Sequence, residues 1–475
     1  MSSIKHKIGR QTFSTAFDVA YSKVGKDRDK ALMDIWKMSV PYVKKTDVKI
    51  DFDRGEAMVA DPNSVLMKYA GRVIDELDKN VLKQGFMNFL YEAMLCGTKT
   101  MEDARKKYEC NVPWLILMDP TSACNLHCTG CWAAEYGHKM NLTFEDMDKV
   151  ITEGKKLGIF FYMYTGGEPL VRKDDLIRLC EKHSDCAFAS FTNGTLVDQK
   201  FCDDLKRVGN LYLAISLEGE ESVNDMRRGE GVYQKVMDAM DLLKKNGCLF
   251  GTSICYTKNN IETVTSDEFI NMEIEKGVKF SMYFHYMPVG NDASPELLPT
   301  MEQREYIYHR IKEIRSLNDG NGLFCFDFQN DGEYVGGCIA GGRNYFHINA
   351  NGDAEPCVFI HYSNMNIKEH SLLEVLHSPL FMAYHNNQPF NDNLLRPCPM
   401  LENPDILPKM VKETGAKSTD LQSPEDVDSL CAKCHEYADC WAPYADKLER
   451  KKSKVKELKT KPVVDSDIHE LEKDA

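Results

Sequence analysis

The chain has 475 residues, 43% of them apolar and 28% charged, with a formal net charge of −14. That length exceeds one small core and predicts two to three domains. The acidity argues against nucleic acid as a partner, because most of the surface would repel a phosphate backbone. The amino end, MSSIKHKIGRQ, has no apolar stretch of the signal-peptide kind, and apolar runs such as WLILM at 114–118 are too short to span a bilayer. A cytoplasmic location is therefore expected. Seventeen cysteines in a reducing compartment point to metal rather than to disulfides.

Residues 1–110 read as mostly helical, with apolar residues three and four apart in segments such as SVLMKYAGRVIDELDKNVLKQGFMNFLYEAML. Residues 47–59 are read as a short hairpin around Asp53-Arg54-Gly55-Glu56. Residues 1–49 carry eleven Lys/Arg against five Asp. With the amphipathic stretch Val81–Leu95 this offers a peripheral contact with an anionic membrane, set against the plainer reading of a helix packed on its own domain.

Residues 111–320 alternate between short apolar runs and helical patterns. Six runs read as buried parallel strands: Trp114–Met118, Phe160–Tyr164, Ala187–Thr192, Leu211–Ser216, Leu249–Tyr256 and Val278–Tyr286. The first helix between them opens at Thr143, with Asp146 three residues on, and stops before Gly158. Six β/α units imply right-handed crossovers and a curved parallel sheet, with chemistry on the loops at the carboxyl ends of the strands. Residues 321–445 lose this rhythm and are rich in Gly, Pro, Asn and Cys. Residues 446–475 form a charged, helical tail, of which the last ten are expected to be disordered; 446–461 hold eight Lys/Arg against three acids.

The chemistry-bearing motifs fall on that rim. Cys124, Cys128 and Cys131, spaced CxxxCxxC, directly follow the first strand, and three thiolates leave one iron of a four-iron cluster open. Thr165-Gly166-Gly167-Glu168-Pro169 ends the second strand, Thr192-Asn193-Gly194 the third, and Ser216-Leu217-Glu218-Gly219 the fourth; Arg228 follows in Asp225-Met226-Arg227-Arg228-Gly229. This set, in this order, resembles the radical S-adenosylmethionine (radical SAM) superfamily. The resemblance implies an α/β fold: a partial (β/α)6 TIM-like barrel with a helical N-terminal region and a small Cys-rich C-terminal Fe–S domain. It implies a 4Fe–4S cluster on Cys124, Cys128 and Cys131, with S-adenosylmethionine held by Gly166, Gly167, Glu168, Asn193, Ser216 and Arg228. An external reductant such as flavodoxin or ferredoxin and sensitivity to oxygen are implied with it. Two positions depart from the family's pattern. The aromatic residue expected before the third cysteine is Gly130, with Trp132 after it, and the acid of the fourth motif is Glu218 rather than aspartate.

Cys338, Cys357, Cys398, Cys431, Cys434 and Cys440 resemble the family's SPASM/twitch extension, in which Gly352 and the run Cys431-x-x-Cys434-x5-Cys440 take part. A seventh cysteine of the full pattern is replaced by Tyr444. One auxiliary 4Fe–4S cluster is expected, with zinc as the competing metal and the choice of four ligands among six left open. Cys96, Cys110, Cys180, Cys186, Cys202, Cys248, Cys255 and Cys325 are assigned to core or surface. The domains are then 1–110, helical; 111–320, barrel; 321–445, auxiliary Fe–S domain; 446–475, tail. His285, Tyr286, Asn291 and Asp292 at the end of the sixth strand are candidate substrate contacts, against a plain strand end and Pro-Gly turn. Auxiliary-cluster enzymes of the family often modify peptides, so a peptide or protein substrate is expected, with a lipid or small apolar substrate, and a non-catalytic Fe–S carrier or redox sensor, as the alternatives.

Overall fold

The computed structural model describes residues 3–25, 27–44, 52–133, 139–290 and 293–460. The six anticipated strands form where the apolar runs lie: β1 (Leu115–Met118), β2 (Phe161–Tyr164), β3 (Ala187–Thr192), β4 (Leu211–Ser216), β5 (Phe250–Tyr256) and β6 (Phe280–His285). They pair in parallel, each with the next. The sheet is wider than six strands. β7 (Phe324–Asp327) adds in parallel beyond β6, and β8 (Tyr345–Ile348) adds in parallel to the free side of β1, with β9 (Ala354–Glu355) antiparallel at its edge. The resulting order is β7-β6-β5-β4-β3-β2-β1-β8-β9.

The crossovers obey local rules. Thr143 caps the helix Phe144–Lys156 in a reciprocal box with Asp146. Every second strand residue faces outward: Ile116, Met118, Tyr162, Phe188 and Ile215 pack under the crossover helices. The alternate residues Leu117, Met163 and Ala189 face inward and share one cluster with Tyr286, Cys357 and Cys431. Cys357 and Cys431 therefore pack against the inside of the barrel rather than standing apart from it.

The N-terminal helices close the other end. Tyr69 donates to Lys279 O (2.9 Å), Asn80 to Lys206 O (2.8 Å) and Asn88 to Ser184 O and Cys186 O (both 2.9 Å), all at or before the amino ends of strands. Val81–Leu95 belongs to this cover. Val81 packs on Ala187 and Tyr212, and Phe89 makes edge contacts with Trp114 and Phe161. Burial against the barrel is thus what its apolar face serves. The anticipated hairpin is corrected: Phe52–Ala60 is a helix, and residues 45–51 lie outside the described residues. Gly55 reads as a turn but serves packing, since the Trp36 ring stands 2.4 Å from where its Cβ would be. The tail is one helix, His435–Thr460, and the remainder to 475 lies outside the described residues. Among the described residues no helix is long and apolar enough to cross a membrane.

One buried acid joins a crossover helix to the sheet. Glu273 accepts from Thr252 Oγ1 (2.5 Å) and Ser281 Oγ (3.1 Å) and is fully buried. Burial pushes its carboxyl from 4.5 up to about 8, against those two donors. An acid raised in the folded state leaves stability unaffected while both states hold the proton. As pH rises the unfolded chain ionises first, so stability falls between about pH 4.5 and about pH 8. Glu273→Gln is expected to flatten that decline and to gain roughly 3–5 kcal/mol over wild type at pH 8. Urea unfolding of both proteins at pH 5 and pH 8 checks it; equal pH slopes would refute it.

Candidate functional site

After β1 the chain runs through Asp119–Ala123 into Cys124. Its path is held from both neighbouring strands: Asp119 N donates to Ile348 O (2.9 Å), Gly167 N to Thr121 O (3.0 Å) and Glu168 N to Ala123 O (2.8 Å). The glycines permit this. Gly166 has φ +107°, and a Cβ on Gly167 would stand 2.2 Å from Ala123 O. The two glycines thus bring the turn after β2 against the backbone that leads into the cysteine loop.

Cys124, Cys128 and Cys131 are free, half-buried thiols. Burial pushes Cys124 up to about 11, and the neighbouring Glu168, Cys128 and Cys131 add to it. Burial also raises Cys128, against Arg228, whose Nη1 lies 4.0 Å from its sulfur. Metal takes thiolates, so loading this loop releases protons.

The other predicted residues gather around the loop. Glu168 accepts from Leu170 N (2.9 Å), Thr192 Oγ1 (2.7 Å) and Asn193 N (2.8 Å), three of a carboxylate's roughly four lone-pair positions. Asn193 Nδ2 donates to Asn125 Oδ1 (2.9 Å) inside the cysteine loop. Ser216 ends β4, level with Ser253. Arg228 is bound to a protein partner: Glu218 Oε1 takes its Nη2 at 2.5 Å and lies 2.6 Å from Nη1 of Arg227. Despite burial, those two guanidiniums hold the Glu218 carboxyl below its ordinary value. Its Oε2 is buried with no hydrogen-bond partner among the described residues.

This donor set fits an Fe–S cluster with S-adenosylmethionine. Three unpaired thiols suit iron. A guanidinium beside Cys128 suits a carboxylate, and the vacant acceptor positions of Glu168 and Glu218 suit an ammonium and a hydroxyl. Two side chains that sequence reasoning missed belong here, Arg227 and Cys255; Cys255 on β5 is raised by burial and opposed by Arg227. The inward alternation along β5 is the signal that places it.

The end of β6 is corrected. His285 is buried, with Nε2 2.7 Å from Tyr437 Oη and Nδ1 2.6 Å from Tyr286 O, so both ring nitrogens are engaged in packing. Tyr286 is buried too, accepts from Ser294 N (3.1 Å) and lies against Gly130. Asn291 and Asp292 lie outside the described residues. Trp132 turns from the loop onto His347, His361 and Phe359, at 5.7, 6.1 and 6.4 Å between ring centres.

Cys338, Cys357 and Cys398 line one cavity of about 540 Å³. Beside them stands Tyr384, a fully buried phenol whose hydroxyl has no partner among the described residues. Burial raises that phenol far above its usual range, and Cys338, Cys357, Cys398 and Cys431 raise it further. Those four thiols and Tyr384 belong to one packed cluster. Cys434 is buried next to Cys431, and Cys440 is exposed.

Gly167→Ala is expected to push the cysteine loop off its track and to cost about four irons per chain after anaerobic reconstitution. Cys398→Ser is expected to cost a second set of about four, whereas Cys440→Ser retains the wild-type content. Iron and sulfide assays decide; full iron in Gly167→Ala would refute the cradle argument.

Comparison with known proteins agrees with this geometry. Residues 118–270 match the radical SAM superfamily, and residues 338–400 match an iron–sulfur cluster-binding domain, SPASM. The Fe-coproporphyrin III synthase of Methanosarcina barkeri is 27% identical over 211 residues, 43% of this chain and 52% of its own length. The PqqA peptide cyclase of Granulibacter bethesdensis is 24% identical over 322 residues, 62% of this chain and 81% of its own. Among solved structures, Streptococcus suis SuiB bound to precursor peptide SuiA aligns with a TM-score of 0.53 at 18% identity, covering 64% of this chain and 75% of that one. The chain thus carries a radical SAM superfamily domain over residues 118–270 and a SPASM iron–sulfur cluster-binding domain over residues 338–400, domains whose cofactors are 4Fe–4S clusters and S-adenosylmethionine, and it spans 52% of the length of the first of these relatives.

Proposed function

We propose that this enzyme modifies a peptide or protein by hydrogen abstraction. When bound at the cysteine loop, the cluster and S-adenosylmethionine supply one electron and a 5′-deoxyadenosyl radical that takes hydrogen from the substrate. The chain's part is placement. Cys124, Cys128 and Cys131 hold the cluster, while Gly166 and Gly167 bring the second strand against their loop. Glu168, Asn193 and Ser216 line the cofactor's edge, and Arg228, sharing Glu218 with Arg227, offers its remaining N–H groups to a carboxylate. Cys338, Cys357, Cys398 and Cys431 hold the auxiliary cluster. In this reading 1–110 is the cover of the amino rim, 111–320 the barrel, 321–445 the auxiliary domain and 446–475 the tail.

The observation that carries the peptide reading is the reach of the alignment with the PqqA peptide cyclase: it spans 62% of this chain and most of that relative. The second reading, a small-molecule substrate, is favoured by the higher identity to Fe-coproporphyrin III synthase, over 43% of the chain. A lipid substrate loses its motivation, because Val81–Leu95 buries its apolar face on the barrel. A mere electron carrier has no use for the vacant acceptor at Glu218.

Anaerobic enzyme with dithionite and S-adenosylmethionine is expected to release 5′-deoxyadenosine, and a short peptide encoded beside the gene is expected to speed that release and change in mass. No 5′-deoxyadenosine would remove the catalytic reading. Acceleration by a tetrapyrrole and by no peptide would replace peptide with small molecule. Iron is expected to fall from about eight to about four per chain when Cys124, Cys128 and Cys131 are all replaced by Ala.

A further inference from the structure

The cavity that ends on Cys338, Cys357 and Cys398 has a second end. It is also lined by Phe324, Tyr334 and Val335, which are 55, 63 and 40% exposed. It is therefore an apolar passage from solvent to the thiol cage, walled by Phe326, Phe328 and Phe359. Large apolar side chains grouped on a surface mark a contact site more often than an accident.

A basic element lies beside that mouth. The helix His435–Thr460 is anchored by Trp441, Ala445 and Leu448 packing on Tyr308. Past this anchor, Lys452 Nζ reaches Glu333 Oε2 at 2.5 Å and lies 4.9 Å over the Tyr308 ring. Glu333 immediately precedes Tyr334 at the mouth, and Lys312 and Arg315 flank the Tyr334 ring at 5.8 and 5.1 Å. The helix runs eight residues beyond Lys452, about 12 Å. Residues 446–461 hold eight Lys/Arg against three acids, on a chain whose total charge is −14. An acidic protein is repelled by the body as a whole and drawn to its basic segments, of which residues 446–461 belong to the helix that reaches this mouth, and charge steers an encounter in this way.

We propose that the mouth formed by Phe324, Tyr334 and Val335, with the basic helix beside it, is the docking surface for an acidic one-electron carrier protein that reduces the cluster held at the cavity's inner end. The proposal rests on the reading of Cys338, Cys357, Cys398 and Cys431 as cluster ligands. One electron leaves the carrier's flavin or iron–sulfur centre and enters the auxiliary cluster; no bond or proton changes place. The apolar rim supplies the dry contact, and the lysines supply attraction and orientation.

The test uses the cluster-loaded full chain, with reduced flavodoxin and reduced ferredoxin as probes and stopped-flow absorbance of the clusters as the readout. Lys447→Glu/Arg450→Glu/Lys451→Glu is expected to slow reduction by either carrier about tenfold or more at low salt. Wild type is expected to lose its advantage as ionic strength rises. Tyr334→Ala is expected to slow the carriers and leave the salt dependence intact. Dithionite, a small reductant, is expected to reduce all variants at one rate. Unchanged rates with the carriers, or equal slowing with dithionite, would overturn the proposal. So would binding of the wild type, and not the charge variant, to anionic lipid vesicles with carrier rates unaltered. A wild-type iron content of only about four per chain, counted first, would overturn the ligand reading and this proposal with it.

Discussion

Two backbone hydrogen bonds, from Gly167 N to Thr121 O and from Glu168 N to Ala123 O, decide where the three cysteines stand. They lock the loop after β1 to the turn after β2, which is possible only because neither Gly166 nor Gly167 carries a side chain to intervene. Glu168 then passes the constraint on. Its carboxylate is held by Thr192 and by the backbone of Asn193, and the Asn193 side chain returns to Asn125 within the loop. The ends of three strands and the cysteine loop thus form one closed ring of hydrogen bonds. A cluster that must present one open iron to a cofactor needs a support of this stiffness, because a loose thiolate would let it shift.

The two rims of the barrel are used differently. The amino rim is covered by the N-terminal helices, whose Tyr69, Asn80 and Asn88 donate to backbone carbonyls there. The carboxyl rim is left for chemistry and is roofed by the C-terminal module, whose Cys357 and Cys431 share a core with the inward residues of β1, β2 and β3. The C-terminal module thus covers the rim on which the cysteine loop stands.

Much of this was legible in the residues. Runs with β-branched and aromatic side chains marked all six central strands to within two residues at either end, and the box at Thr143 marked a helix start, because local pattern and tertiary burial agree there. The site motifs were legible for the same reason: each ends a readable strand. Three features were hidden. β8 reads Tyr-Phe-His-Ile, and its histidine breaks an apolar run; the strand forms because His347 finds Asp119 and Glu355. β7 has only four residues and an exposed phenylalanine at its start, so little burial signals it. Which thiols gather was hidden because Cys338, Cys357, Cys398 and Cys431 enter one packed cluster through long-range contacts, which no spacing encodes. The likeness of His285 to a substrate contact was a false lead of the opposite kind: a strand-end histidine whose partner, Tyr437, lies 152 residues on.

A different buried histidine, His347 on β8, links the cysteine-loop side of the fold to the auxiliary thiols. β8 follows Cys338 in the chain, so by sequence it belongs with the auxiliary thiols, yet it pairs with β1, whose next residues lead to Cys124. His347 on β8 lies between Asp119, 2.8 Å away on the cysteine-loop side, and Glu355, 2.7 Å away and two residues before Cys357. Burial opposes its protonation, but the neighbouring Asp119 and Glu355 carboxyl groups push it up to about 10, while burial raises Asp119 in turn. His361 and Asp420 repeat the arrangement at 2.7 Å, and Trp132 lies against both histidines. Breaking such a buried ion cluster by removing one partner leaves uncompensated charge and costs several kcal/mol. The residue that leads into the cysteine loop and the residue two before Cys357 are thereby tied through one buried histidine, by hydrogen bonds as well as by packing.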